Sequence, residues 1–113
     1  MLLNMISPLQ PPNKEVDVDF LVFVERYATD LLKWDILTFF ADNPDLPARA
    51  TDIARRIGRS IYTVRPELGD LVMLGILRQA KSLQGEVFYQ LTQESYLRGM
   101  TLKFADQLTT RPQ

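Results

Sequence analysis

The chain contains no cysteine and no histidine. Without cysteine there is no disulfide framework, no thiol switch and no zinc finger. Without histidine, the side chain most used for proton transfer near neutral pH and for metal ligation is also missing. A catalyst built from the remaining residues needs paired carboxylates, an activated Ser or Lys, or an all-oxygen metal site, and no spacing points to one. Asp42-Asn43-Pro44-Asp45 lacks the ligand run and glycine of a calcium loop and fits a turn after a helix. Gly69 and Gly75 are too far apart for a phosphate loop and lie inside a helical pattern. No cofactor is called for. No apolar run approaches the roughly 20 residues that span a bilayer. Met1-Leu2-Leu3-Asn4-Met5-Ile6 is short and lacks the basic flank of a signal peptide. These absences lead us to expect a cytoplasmic protein that is neither an enzyme nor membrane-bound.

What is present suits one domain: 113 residues, enough for a core without covalent staples. Pro8, Pro11 and Pro12 mark residues 1–16 as a flexible arm, residues 17–108 as the domain, and residues 109–113 as a frayed end. From Asp17 to Asp42 the pattern is helical and so apolar that more than one face must be covered. Asp30 can cap a second helix starting at Leu31, and Asn43-Pro44 ends it. Past Leu91, Thr92 is placed to cap a last helix whose stripe is Tyr96, Leu97, Met100, Phe104 and Leu108. This helix is expected to pack on the N-terminal one, within a subunit or between subunits.

Between these ends, Ile53, Ala54 and Ile57 repeat at helical spacing and Gly58 follows as a stop. A second helix starts after Ser60, with Val64, Leu68, Leu71 and Gly75 as its inner stripe. The pattern then becomes strand-like: Leu77–Ser82 and Glu86–Leu91 flank Leu83-Gln84-Gly85, a loop of hairpin length. Ile-Ala-Arg-Arg-Ile-Gly, Ser-x-x-Thr-Val-Arg-Pro-x-Leu-x-x-Leu, Leu-Gly-Ile-Leu and a hairpin closing on Phe-Tyr-Gln-Leu-Thr together resemble the winged helix-turn-helix domain of prokaryotic transcriptional regulators. The resemblance covers roughly half of the chain. It implies a mostly α fold with a small β-hairpin wing and extra helices at both ends. It further implies double-stranded DNA as partner and homodimerisation through helices outside the motif, for which Phe20, Val24, Tyr27, Tyr96, Met100 and Phe104 are the candidates. A small-molecule effector is compatible with it, although the apolar residues between the outer helices fit a core.

Charge is unevenly spread along a chain whose net charge is −1. Residues 1–47 hold eight carboxylates against three cations, whereas residues 48–81 hold seven cations, six of them Arg, against three carboxylates. Arginine can pair bidentately with a phosphate or a guanine edge, so the positive segment is where nucleic acid would bind. A helix-turn-helix reads bases with the N-terminal part of its second helix. The candidates are therefore Arg65 and Tyr62 for base or backbone contact, and Ser60 and Thr63 as phosphate anchors at the helix N-terminus. Arg55, Arg56 and Arg59 would grip the flanking backbone, and Arg78, Lys81 and Gln84 belong to the wing. Pro66 is tolerable if the helix starts near Thr63, which puts the proline in the first turn. Residues 61–73 carry Arg65 against Glu67 and Asp70, and their outer face of Tyr62, Pro66, Gly69 and Met73 is only weakly polar. That face leaves open a second possibility, a winged-helix protein-interaction module without DNA binding.

Overall fold

A computed structural model of the protein describes residues 17–109; the expected arm of residues 1–16 and residues 110–113 lie outside it. The elements run α1 (Val18–Tyr27), α2 (Leu31–Asp42), α3 (Ala50–Ile57), α4 (Ile61–Met73), β1 (Leu77–Lys81), β2 (Val87–Leu91) and α5 (Ser95–Thr109). The fold is mostly helical with one two-stranded hairpin, as the periodicities predict.

Short polar side chains set the helix starts. The Asp17 carboxylate accepts the Phe20 amide at 3.1 Å, that of Asp30 accepts the Lys33 amide at 2.9 Å, and the Ser60 hydroxyl accepts the Tyr62 amide at 3.1 Å. The Ser60 cap starts α4 at Ile61, two residues earlier than Pro66 requires for a place in the first turn. Pro66 therefore lies inside the helix, where it removes one backbone bond on an exposed face. Gly75 differs from expectation as well. It does not extend the α4 stripe but follows the helix at φ +84°, and Ile76 donates its amide back to Leu71 at 3.1 Å. At the last helix, Thr92 is not the cap: its hydroxyl accepts the Glu94 amide, and the Glu94 carboxylate accepts those of Tyr96 and Leu97. The longer side chain reaches two free amides at once, and these bonds hold the Glu94 carboxyl below its usual range.

The core forms where α2 meets everything else. Ile36, Leu37 and Phe40 are fully buried, leaving α2 only the narrow polar stripe of Asp35, Thr38 and Asp42; each of the three contributes roughly 1.5–3 kcal/mol by leaving water. α5 packs on α1 and α2 within one chain. Phe104 is 1% exposed and its ring lies 6.2 Å from Phe23 and 5.2 Å, edge-on, from Trp34. The Trp34 indole N–H donates to the Ala28 carbonyl at 2.8 Å, fixing the elbow between α1 and α2. Of the six residues expected at a dimer interface, Tyr27, Met100 and Phe104 are buried in this core, Phe20 and Val24 pack against it, and only Tyr96 is exposed. The apolar surface left uncovered on α1 is a different set, Val18, Leu21 and Val22.

β1 and β2 pair antiparallel with Leu77 opposite Leu91 and Lys81 opposite Val87. Ala48, just before α3, adds an isolated bridge on the other edge of β2 by exchanging both backbone bonds with Tyr89 at 2.9 and 2.8 Å. The hairpin is thereby anchored to the start of α3, and its inner end to the core through Leu77 and Leu91.

Candidate nucleic-acid interface

The turn of residues 58–60 sets α4 across α3, and the buried Val64, Leu68 and Leu71 fasten its inner face. At about 100° per residue, Tyr62 and Met73 fall on the opposite side from Val64, with Arg65 on one flank and Glu67 and Asp70 on the other. Tyr62 is 84% and Met73 85% exposed. The Arg65 guanidinium is exposed and makes no hydrogen bond or ion pair among the described residues.

The acidic residues of α4 have a partner that the sequence did not disclose. Lys33, 8% exposed, reaches from the first turn of α2 to pair with Glu67, and its ammonium stands 3.6 Å from both Asp30 and Asp70. Burial works against the Lys33 charge, but the Glu67 hydrogen bond and the charges of Glu67, Asp30 and Asp70 outweigh it and hold the pKa above its usual 10.5. Glu67 is thus turned toward the body of the protein, while Asp70 stays exposed on the flank opposite Arg65. The outer face and Arg65 flank of α4 are left without a carboxylate.

Arg65 shares a groove of about 380 Å³ with Arg49, Thr51, Glu86, Val87 and Tyr89, between the N-terminal end of α3, α4 and the hairpin. Arg49 spans that groove: its guanidinium meets Asp52 at 3.1 Å and Glu86 at 3.3 Å, tying α3 to the hairpin. The Arg49 hydrogen bond holds the Asp52 carboxyl below its usual 3.8. Arg49 and Thr51 were not among the sequence candidates, since only the folded chain brings them beside Arg65.

The other candidates separate into distinct places. Arg55 lies 3.5 Å from Asp52, Arg56 sits over the Phe39 ring at 5.9 Å, and Arg59 meets Asp35 at 3.0 Å. Arg55 and Arg56 line a second concavity, with Phe39, Leu46 and Pro47. Ser60 and Thr63 stay at the α4 N-terminus, where the Thr63 hydroxyl donates to the Ser60 carbonyl at 2.9 Å. In the hairpin, Arg78 and Lys81 point to opposite faces because side chains alternate along a strand. Both are exposed and neither side chain has a partner among the described residues. Gln84 lies in the tip, next to Leu83.

The class of fold follows from these elements: a winged helix-turn-helix domain with an added helix at each end. No family model and no curated protein sequence matches the chain. Solved structures do. The chain is similar to the AntR antimony-specific transcriptional repressor, with a TM-score of 0.59 and 20% identity over 91% of this chain and 97% of that one. It is similar to a mutant of S. aureus MepR bound to an oligodeoxyribonucleotide, with a TM-score of 0.61 and 18% identity over 96% and 77% of the two chains. NadR in complex with 4-hydroxyphenylacetate gives a TM-score of 0.59 and 20% identity over 82% and 67%. At such identities the likeness establishes the fold. Among the described residues no helix is long and apolar enough to cross a membrane, and no cluster of acidic residues is arranged to hold a metal ion.

Proposed function

We propose that the protein is a transcriptional regulator that binds double-stranded DNA as a homodimer, with α4 in the major groove. The observation that carries this reading is the division of charge on α4: Glu67 and Asp70 are engaged by Lys33, while Arg65 has no partner on the exposed flank. A helix presented in this way leads into the groove with its Arg65 flank, while Lys33 offsets the charge of Glu67 and of the more exposed Asp70. Arg65 and Tyr62 then meet base edges or backbone. Ser60, Thr63 and the positive end of the α4 dipole take a phosphate, and Arg49 and Lys81 flank the strand. The exposed apolar run of Val18, Leu21 and Val22 on α1 supports a twofold dimer, which would repeat the reading helix on a pseudo-palindromic site. The test is Arg65→Ala, measured by fluorescence anisotropy on a random-sequence duplex. Affinity is expected to fall about tenfold or more with the thermal midpoint unchanged, as for the loss of one bidentate contact. Unaltered affinity would remove α4 from the interface.

A second reading, a protein-interaction module, draws support from the exposed Tyr62 and Met73 on the outer face of α4. It predicts no salt-dependent binding to DNA at all.

A further inference from the structure

The tip of the hairpin is held in one shape by a single residue. Ser82 donates its amide to the Glu86 carbonyl at 2.8 Å and accepts the Gly85 amide on its own carbonyl at 2.9 Å. Its hydroxyl accepts the amides of Gln84 at 3.2 Å and Glu86 at 3.1 Å. Gly85, at φ +90°, supplies the turn that L side chains rarely adopt. None of these bonds involves the Leu83 side chain, which is fully exposed at the apex. An ordered tip therefore presents an isobutyl group to solvent, beside Lys81 and Gln84.

The position of this group matters if a duplex lies as proposed. With α4 in the major groove, one sugar-phosphate strand runs through the groove between α4 and the hairpin, where Arg49 and Arg65 stand. The next groove beyond that strand is the minor groove, and the apex of the hairpin is what reaches it. We infer that Leu83 is a minor-groove probe that makes the protein discriminate against G·C pairs beneath the wing. The chemistry is asymmetric. The floor at an A·T pair shows only acceptors, which Lys81 and the Gln84 amide can serve, whereas a G·C pair adds the guanine N2 amino group. That group stands in the volume the leucine needs, and a leucine cannot accept its hydrogen bond, so the donor is left dry and unpaired.

The inference rests on the DNA-binding reading and deepens it. Its test uses two duplexes of equal length, one of G·C pairs only and one of inosine·C pairs only. These are alike in the major groove and differ by the minor-groove amino group. Anisotropy at low salt is recorded for the wild-type chain and for Leu83→Ala, whose thermal midpoint should match wild type because the side chain touches nothing. The wild type is expected to bind inosine·C about tenfold more tightly than G·C, and Leu83→Ala to show less than about a threefold difference, within the usual range for one base-pair change. If Leu83→Ala keeps the full preference, or the wild type has none, the probe is overturned while salt-sensitive binding to both duplexes leaves the DNA-binding reading standing. If neither duplex is bound, that reading falls and the probe with it.

Discussion

Replacing Lys33 by Met would expose how much of the fold and the interface depends on one buried ammonium. Lys33 is 8% exposed and is the counter-ion of Glu67, whose side chain is 23% exposed, with Asp30 and Asp70 each 3.6 Å away. Removing one partner of a fully buried pair costs about 3–5 kcal/mol, because the other charge stays desolvated. Glu67 keeps some access to water and Asp70 keeps much more, so about 2 kcal/mol is the expected loss after screening. For a domain of this size each kcal/mol moves the melting midpoint by roughly 4–8 °C, so Lys33→Met should melt about 8–16 °C lower. Lys33→Met with Glu67→Leu should return to within about 1 kcal/mol of wild type, since an apolar pair of similar volume replaces the ions. Circular-dichroism melts of the two single variants and the double variant form the thermodynamic cycle. Lys33→Met should also weaken DNA binding from a position that touches no DNA, by leaving two carboxylates unneutralised on α4. Additive losses in the cycle, together with unchanged DNA affinity, would refute the idea that Lys33 neutralises α4.

Asp17, Asp52 and Glu94 have carboxyls held below their ordinary values of 3.8, 3.8 and 4.5, so their contribution is complete above those values and is lost as pH falls through the lowered ones. Lys33, held above 10.5, loses its contribution only as pH rises beyond that value. With no histidine in the chain, the melting midpoint should be level from about pH 6 to 9; a step near pH 6.5 would contradict this assignment of charges. Pro66→Ala restores an internal α4 backbone bond on an exposed face and should stabilise the fold by about 1–3 kcal/mol in a urea titration, whereas a loss would mean that the ring itself packs usefully. The wild type is expected to scatter light as the proposed dimer, and Leu21→Asp with Val22→Asp, which places charge on the uncovered α1 face, as a folded monomer; an unchanged mass would move the interface elsewhere.

Signals that act within a few residues were legible. Asp30 caps the helix it was expected to cap, α4 starts directly after Ser60 as expected, Gly58 ends α3, and the change of period at Leu77 marks the hairpin. Pro66 and Gly75 were misplaced because both depend on where α4 begins and ends, to within a turn. Thr92 fits the rule that short side chains are the usual caps, whereas here the longer Glu94 carboxylate spans two amides. What local pattern could not carry was the pairing of charges across the fold. Lys33 and Glu67 are 34 residues apart, and nothing in an apolar helix announces which acid its lone cation will meet. The arginines of α3 looked like one cluster with Arg65 in sequence, yet Arg56 lies over Phe39 and Arg55 lines the same concavity, while Arg49 lines the groove of Arg65. A helical wheel of α4 alone does separate Arg65 from Glu67 and Asp70, and that separation was the signal available for the interface.

If this acidic protein does place a local positive surface on DNA phosphates, the slope of affinity against salt will report it. Anisotropy with a random-sequence duplex between about 50 and 200 mM salt should give a linear fall in log affinity with log salt, at close to one unit of slope per neutralised phosphate. Arg65→Ala should lower both the affinity and, if Arg65 meets a phosphate, the slope by about one unit. A protein that binds no duplex at the lowest salt, or whose binding ignores salt, would contradict the account and leave the exposed face of α4 to a protein partner.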